Sequence, residues 1–236
     1  MVLERLADYV VSLDLAYYDG KYTDAACICL LDAVECMFDT FEDNRTASAL
    51  KYALEDDGPC TLFGRSEKSS VRGALIYNTV TGSVASRNDM NIEGNAHPAT
   101  ALVPLVLALG EKNHSSGKTV LSALAAGYEV LSRLGQALRT GEACIPKSLR
   151  PTSLCVAIAS AFTASKMMGL DRTVACSAAA LACNYVAGLN EWRFEGTGED
   201  VFLNAFAAEF GLMCAELSAA GMKAAHLGET HLYTLH

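Results

Sequence analysis

A histidine followed by a proline, His97-Pro98, is the pair in this chain best suited to chemistry, because it stands where a helix begins. The positive end of a helix dipole disfavours protonation of histidine, so His97 is expected to stay neutral and able to exchange a proton. Arg150 precedes a second proline that also opens a helix. Arginine cannot act as a base near neutral pH, but it can hold a carboxylate or polarise a carbonyl group.

Helical periodicity dominates the elements that must position these residues. Apolar residues recur every three to four positions, which is typical of amphipathic helices. Gly58-Pro59 breaks the pattern, and 61–64 is predicted as a brief extended segment. Helices are predicted at 2–13, 22–38, 46–54, 71–84, 99–112, 118–138, 152–168, 172–187 and 200–220.

Two polar segments, 86–97 and 191–199, interrupt the helices and are predicted to be loops. Gly169 is expected to end one helix and Asp171 to cap the next. No segment shows the alternation of a half-buried strand. The sequence therefore predicts an all-α fold, a multi-helix bundle whose small residues let the helices pack closely where they cross.

The composition narrows the classes of partner. Hydrophobic residues make up 51% of the 236 residues, which predicts one large buried core. A net charge of −9 without a basic run argues against binding to nucleic acid. The segment 173–190 is long enough for a membrane span, but its alanines and polar residues favour a close-packed buried helix and no membrane.

The sequence does not indicate a metal site or a redox-active pair of cysteines. The nine cysteines show no CxxC spacing, and reduced thiols in the cytoplasm are expected because the start of the chain lacks the layout of a signal peptide. His226, His231 and His236 recur every five residues, which suits a frayed tail better than a metal site. No glycine-rich phosphate loop or nucleophile elbow is present, so action without a cofactor is expected.

The order of several motifs resembles the MmgE/PrpD family, which includes 2-methylcitrate dehydratase and cis-aconitate decarboxylase. The central motif is GNAHPATALVPLVLALGEKNHSSGKTVLSALAAGYEVLSRLG at 94–135. Similar segments are LADYVVSLDL (6–15), CLLDAVECMF (29–38), Asn78, SKMMGLDRTVACSAAALACNYVAGL (165–189) and FAAEFGLMCAELSAAGM (206–222). Each motif alone is weak, but their order and spacing together are fairly specific.

The resemblance implies a domain organisation. Family members are about twice this long and carry an α+β lid domain after the last of these helices. Residues 1–236 are therefore expected to form a single helical domain, with the lid missing. The family also implies a homodimer built on the helical domain and a small-molecule substrate.

The same resemblance implies a catalytic set in which several positions have changed. His97-Pro98 matches the family's His-Pro, and Asp89 matches one acid of its Asp-x-Asp-Asp-Thr loop. Arg150 stands where the family has a histidine. His97, Arg150 and Asp89 are therefore the predicted catalytic residues.

The predicted substrate-binding residues include three positions where this chain departs from the family. Ser86 replaces the leading Asp of the loop and Met90 replaces its Thr. Asp200 falls near a family lysine, and this reversal of charge would repel an anionic substrate. The remaining candidates match the family's cavity wall: Asn184, Tyr185, Trp192 and Arg193.

Three functions follow from this mixture of retained and lost residues. The first is an enzyme that acts on a small, relatively apolar metabolite in specialised biosynthesis, as an isomerase or a cyclase of the pericyclic type. Its pocket would orient a reactive conformer, with His97 or Arg150 donating a hydrogen bond. The second is a lyase, a dehydratase or decarboxylase of a polycarboxylate such as 2-methylcitrate or cis-aconitate. The third is a non-catalytic partner of a full-length relative.

Overall fold

The computed structural model describes residues 2–39, 43–140, 148–185 and 188–225, and this part of the chain is an all-α bundle, as predicted. A 3₁₀ turn at Leu15–Tyr17 and an antiparallel pair of strands, β1 (Cys60–Thr61) and β2 (Lys68–Ser69), accompany the helices. The helices are α1 (Val2–Ser12), α2 (Gly20–Phe38), α3 (Asn44–Ala53), α4 (Val71–Val84), α5 (Ala99–Asn113), α6 (Gly117–Thr140), α7 (Pro151–Met167), α8 (Arg172–Ala182), α9 (Trp192–Glu195) and α10 (Asp200–Ala219).

Two short elements differ from the prediction. The strand β1 begins one residue before the expected extended segment 61–64 and pairs with β2, which the pattern did not reveal. Strands of two residues are too short to show alternation. The helix α9 occupies part of the predicted loop 191–199, and it is a single turn closed by Gly196 at φ 70°.

The helix α8 ends five residues before the predicted end at 187. Asn184 stops it, because the Asn184 side-chain amide donates to the carbonyl oxygens of Ala180 (3.4 Å) and Leu181 (3.0 Å). Such a local side-chain bond satisfies carbonyl groups that the end of a helix leaves open.

The helix α7 forms the centre of the bundle and is buried along almost its whole length. It packs against α5, α6, α8 and α10. Small residues permit these crossings, as predicted: a Cβ atom on Gly211 of α10 would lie 2.4 Å from the carbonyl oxygen of Ala157. A Cβ atom on Gly127 of α6 would lie 2.2 Å from the hydroxyl of Thr163.

The helix α10 is long and apolar enough to cross a membrane by length and composition alone. In the bundle, however, it packs against α4, α7 and α8, and 56% of its apolar window is buried. The core helix of a helical bundle passes the same test of length and hydropathy. The predicted apolar segment 173–190 forms the shorter helix α8, whose alanines are buried.

The expected cap of α8 is present and gives a test of local stability. Asp171 accepts hydrogen bonds from the amides of Thr173 (2.8 Å) and Val174 (3.0 Å), and Gly169 ends α7 at φ 67°. We expect Asp171→Ala to lower the free energy of unfolding by about 1 kcal/mol, because two helical amides lose their acceptor. Urea unfolding of this variant and of Asp57→Ala, an exposed control, measures the effect. Equal losses of stability in both variants would contradict the capping role of Asp171.

Candidate active site

Contacts on both sides hold the loop that carries His97. The Arg87 guanidinium forms ion pairs with Glu35 of α2 (3.2 Å) and with Asp39, the residue that follows α2. Asn91 and Ala96 exchange backbone hydrogen bonds of 2.8 and 3.2 Å. The turn that these bonds close lies so close to α6 that a Cβ atom on Gly135 would sit 2.3 Å from the Gly94 carbonyl oxygen. Contacts with α2 and α6 therefore hold the loop that carries His97 in position.

The hydrogen bond of His97 fixes which ring nitrogen is available for chemistry. Its Nδ1 lies 2.7 Å from the main-chain carbonyl oxygen of Asp89. A carbonyl oxygen only accepts, so Nδ1 must carry the hydrogen. In the neutral ring Nε2 then keeps its lone pair and can accept a proton. The His97 carbonyl oxygen in turn accepts from the Thr100 hydroxyl at 2.8 Å, which fixes the backbone of the residue.

Asp89 holds the His97 ring in position through its main-chain carbonyl oxygen. Its carboxylate accepts a hydrogen bond from the Ala99 amide (3.0 Å) at the start of α5, a helix whose own N-cap residue Pro98 offers no side-chain bond. Burial raises the pKa of Asp89, while Tyr128, Ala99 and His97 favour its charged form. Asp89 does not line the cavity into which His97 faces. The structure thus gives Asp89 a positioning contact, and its predicted catalytic role stays a prediction.

The buried carboxyl of Asp89 gives a prediction about pH. Because its pKa is raised in the folded protein, its contribution to stability is most favourable below the ordinary pKa of aspartate and declines as pH rises through the raised pKa. Asn keeps the acceptor for Ala99 and removes the charge. We therefore expect Asp89→Asn to gain stability relative to the wild type between pH 3.5 and pH 7, by denaturant unfolding. A difference that stays constant over this range would contradict the assignment.

Arg150 occupies the opposite wall and is already paired. Its Nη1 lies 3.2 Å from a carboxylate oxygen of Asp200, and both side chains are mostly buried. Its guanidinium carbon also lies 5.4 Å from the centre of the Trp192 ring. The predicted repulsion of an anion by Asp200 is therefore offset, because Arg150 neutralises that carboxylate.

Backbone pairing fixes where Arg150 and Trp192 meet. The amide of Arg150 donates to the Gly188 carbonyl at 2.7 Å, and the Asn190 amide donates to Ser148 at 2.8 Å. These bonds join the segment before α7 to the segment before α9. Two stretches that lie far apart in the sequence thus bring both side chains to one wall.

These walls enclose a cavity of about 240 Å³. Its lining is mostly polar, which differs from the relatively apolar pocket of the first functional hypothesis. Six of the predicted site residues line it: His97, Arg150, Ser86, Trp192, Arg193 and Asp200. The other lining residues are Ser83, Asn88, Asn95, Thr100, Pro151, Thr152 and Asn204.

Three further predicted residues lie elsewhere. Met90 is 52% exposed and lies outside the cavity lining. Asn184 caps the end of α8, and Tyr185 packs against Phe210 with ring centres 5.2 Å apart. Neither Asn184 nor Tyr185 lines the cavity.

Sequence reasoning missed a polar pair at the bottom of the site. The side-chain amide of Asn204 donates to the Thr100 hydroxyl at 3.2 Å, and its carbonyl oxygen lies 3.4 Å from the Ser153 hydroxyl. Asn204 is almost completely buried within the apolar helix α10. The sequence did contain a signal for Asn204, which is a single amide side chain within an apolar helix. Buried polar groups of this kind require hydrogen-bond partners.

A larger apolar groove of about 500 Å³ lies between α1, α2 and α6. Tyr128 lines it, and burial together with the nearby Asp89 carboxylate raises the pKa of Tyr128, but none of the predicted site residues lines the groove. Within the described ranges, no group of three or more His, Cys, Asp or Glu side chains is arranged to hold a metal. His226, His231 and His236 lie outside those ranges.

Comparison with known proteins identifies the family to which the helical domain belongs. The sequence profile of the MmgE/PrpD N-terminal domain matches residues 4–227. The chain is 27% identical over 230 residues to the cis-aconitate decarboxylase-like protein oryM of Aspergillus oryzae, covering 93% of this chain and 47% of that protein. It is also 27% identical over 177 residues to cis-aconitate decarboxylase of Aspergillus terreus, covering 73% of this chain and 36% of that protein.

The chain thus spans half or less of the length of these curated relatives, and the matched part corresponds to a helical N-terminal domain. The match runs through every helix described above, from α1 to α10. It includes the His-Pro pair, Arg150 and the α9 segment that together enclose the polar cavity. The chain belongs to the MmgE/PrpD family.

Proposed function

We propose that this protein is a lyase-type enzyme that moves a proton at the carbon next to a carboxylate of a small metabolite. The observation that carries the proposal is His97, which lines a polar cavity and whose Nδ1 is held by Asp89, while Nε2 has no hydrogen-bond partner among the described residues. A neutral imidazole in this tautomer is suited to general base catalysis. Arg193, which lines the same cavity beside Trp192, is suited to a carboxylate.

The proposed step balances as an elimination. His97 Nε2 accepts the proton from the carbon beside the carboxylate. The electron pair of that C–H bond forms a C=C bond, and the leaving group departs from the neighbouring carbon with its bonding pair. The imidazolium then returns the proton to the leaving group, which restores the neutral ring.

The relatives support the same class of reaction. Two of them are named for cis-aconitate decarboxylase, and decarboxylation also places a negative charge on carbon that a positioned acid must protonate. The chain covers half or less of those proteins, so their substrate is not transferred to this one. What is carried over is proton transfer next to a carboxylate.

An isomerase or cyclase is the second candidate, and one observation favours it. Asp200 cancels the charge of Arg150, and the Trp192 ring lies against that pair, so one wall of the cavity suits a less charged molecule. The mostly polar lining favours the lyase instead. Neutral esters of the same acids distinguish the two, because only the second candidate accepts a substrate without a carboxylate.

A substrate panel tests the proposal. The full chain is incubated with small hydroxy- and unsaturated mono-, di- and tricarboxylates, among them 2-methylcitrate and cis-aconitate, and with their methyl esters. Proton NMR follows the formation or loss of C=C bonds against a sample without protein. We expect at least one acid, and not its ester, to turn over. Conversion of esters alone, or of no compound in the panel, would contradict a carboxylate lyase.

A further inference from the structure

In the part of the chain that the structure describes, the cavity contains one positive charge that no neighbouring acidic side chain balances. Four lining residues can carry charge: His97, Arg150, Arg193 and Asp200. Arg150 and Asp200 neutralise each other at 3.2 Å, and His97 is the neutral base of the proposed function. Among the residues that the structure describes, no acidic side chain lies within ion-pair distance of Arg193. The net charge available to a ligand is therefore that of Arg193.

Arg193 is placed at the mouth of the cavity by the short helix α9. Its amide donates to the Asn190 carbonyl at 3.1 Å, and its guanidinium carbon lies 5.3 Å from the centre of the Trp192 ring. An aromatic face of this kind orients a guanidinium and leaves its N–H edge free for a ligand. The Arg193 side chain is exposed, so its charge carries no desolvation penalty.

The surroundings of Arg193 disfavour further negative charge on a ligand. Glu191, Glu195 and Glu199 belong to the same segment, are exposed, and do not line the cavity. They leave the charge of Arg193 unpaired but would repel a polyanion as it approaches. The cavity volume of about 240 Å³ is also below the range of roughly 300–1,000 Å³ that is usual for ligand sites.

From this balance of charge and size, we infer that Arg193 is the specificity-determining residue of the site and that it selects small monocarboxylates over di- and tricarboxylates. The inference rests on the proposed function, in which a carboxylate is bound beside His97. It names a narrower substrate class, because the described residues of the site offer one unbalanced positive charge, that of Arg193 on α9.

Trp192 gives a direct measurement of binding, because it is the single tryptophan in the chain and it lines the cavity. Its fluorescence is titrated with butyrate, succinate and tricarballylate at constant ionic strength. We expect butyrate to bind most tightly to the wild type. Arg193→Gln is expected to weaken butyrate binding by about fivefold to tenfold, as for a charge-assisted contact in a partly exposed site.

Arg172→Gln is the matched control, because it removes the same charge from a residue that pairs with Glu4 and Asp8 on α1, away from the cavity. We expect its affinities to equal those of the wild type. Asp200→Asn provides a second arm. It keeps an acceptor for Arg150 but releases the charge of that guanidinium, so succinate affinity should rise relative to butyrate by roughly fivefold to tenfold.

The outcomes separate this inference from the proposed function. Tighter binding of tricarballylate than of butyrate to the wild type, or unchanged butyrate affinity in Arg193→Gln, would overturn the role of Arg193 even if His97-dependent turnover is found. Selective butyrate binding that depends on Arg193 supports the inference even if no substrate turns over. In that case only the proposed reaction fails.

Discussion

Replacement of His97 by asparagine is expected to lower turnover by about a hundredfold to ten-thousandfold, the usual contribution of a positioned general base. The Asn side-chain amide can still donate a hydrogen bond to the Asp89 carbonyl in place of Nδ1, so the loop 86–97 should keep its position. It has no group that accepts a proton near neutral pH. The loss is therefore expected in kcat, measured at saturating substrate, with a much smaller change in KM.

His114→Asn is the matched control for this substitution. His114 ends α5 in the left-handed region at φ 50°, a conformation that asparagine tolerates well. We expect this variant to retain the turnover of the wild type. A kcat for His97→Asn within threefold of the wild type, at unchanged thermal stability, would remove His97 from the reaction.

Substitution of Gly211 by alanine is expected to have the largest effect on stability. The added methyl group would lie 2.4 Å from the Ala157 carbonyl oxygen and 2.7 Å from the Ser160 Cβ atom, both on the central helix α7. Neither neighbour can rotate away, so α7 and α10 must separate. Overpacking of this kind lowers the free energy of unfolding by about 1–3 kcal/mol. Urea unfolding, followed by circular dichroism, measures the change.

Gly117→Ala provides the comparison for Gly211, because no atom lies within 4 Å of the position of its Cβ atom. Gly117 begins α6, where alanine has the higher helix propensity. We expect a stability equal to or slightly above that of the wild type. If Gly211→Ala were as stable as Gly117→Ala, the close approach of α7 and α10 would be wrong.

The long helices could be predicted because their signals are local. The apolar periodicity of α4 gave its ends at 71 and 84, and Asp171 and Gly169 marked the boundary between α7 and α8. The end of α8 was predicted wrongly. The Asn184 side chain donates a hydrogen bond to a preceding carbonyl group, which favours ending the helix there. Apolar periodicity does not reveal such a bond. The single turn α9 is too short to have a period.

The site was predictable only in part, for a different physical reason. Family motifs pointed to His97 and Arg150, and the structure brings both to one cavity. The direction of each loop side chain depends on the backbone, and Ser86 adopts a left-handed φ of 53° that no local pattern indicates. Ser86 accordingly lines the cavity while Met90 lies outside it. The pairing of Arg150 with Asp200 joins positions fifty residues apart, which one sequence does not reveal.

Exchange with deuterated solvent tests the proposed chemistry most directly, because it detects proton transfer at carbon even when no product accumulates. Small carboxylates are incubated in D₂O with the wild type, His97→Asn or His114→Asn, and NMR follows the loss of the proton on the carbon beside the carboxylate. We predict deuterium incorporation with the wild type and His114→Asn, and none above the protein-free rate with His97→Asn. Incorporation at equal rates in all three proteins, or in none of them, would contradict a proton transfer by His97.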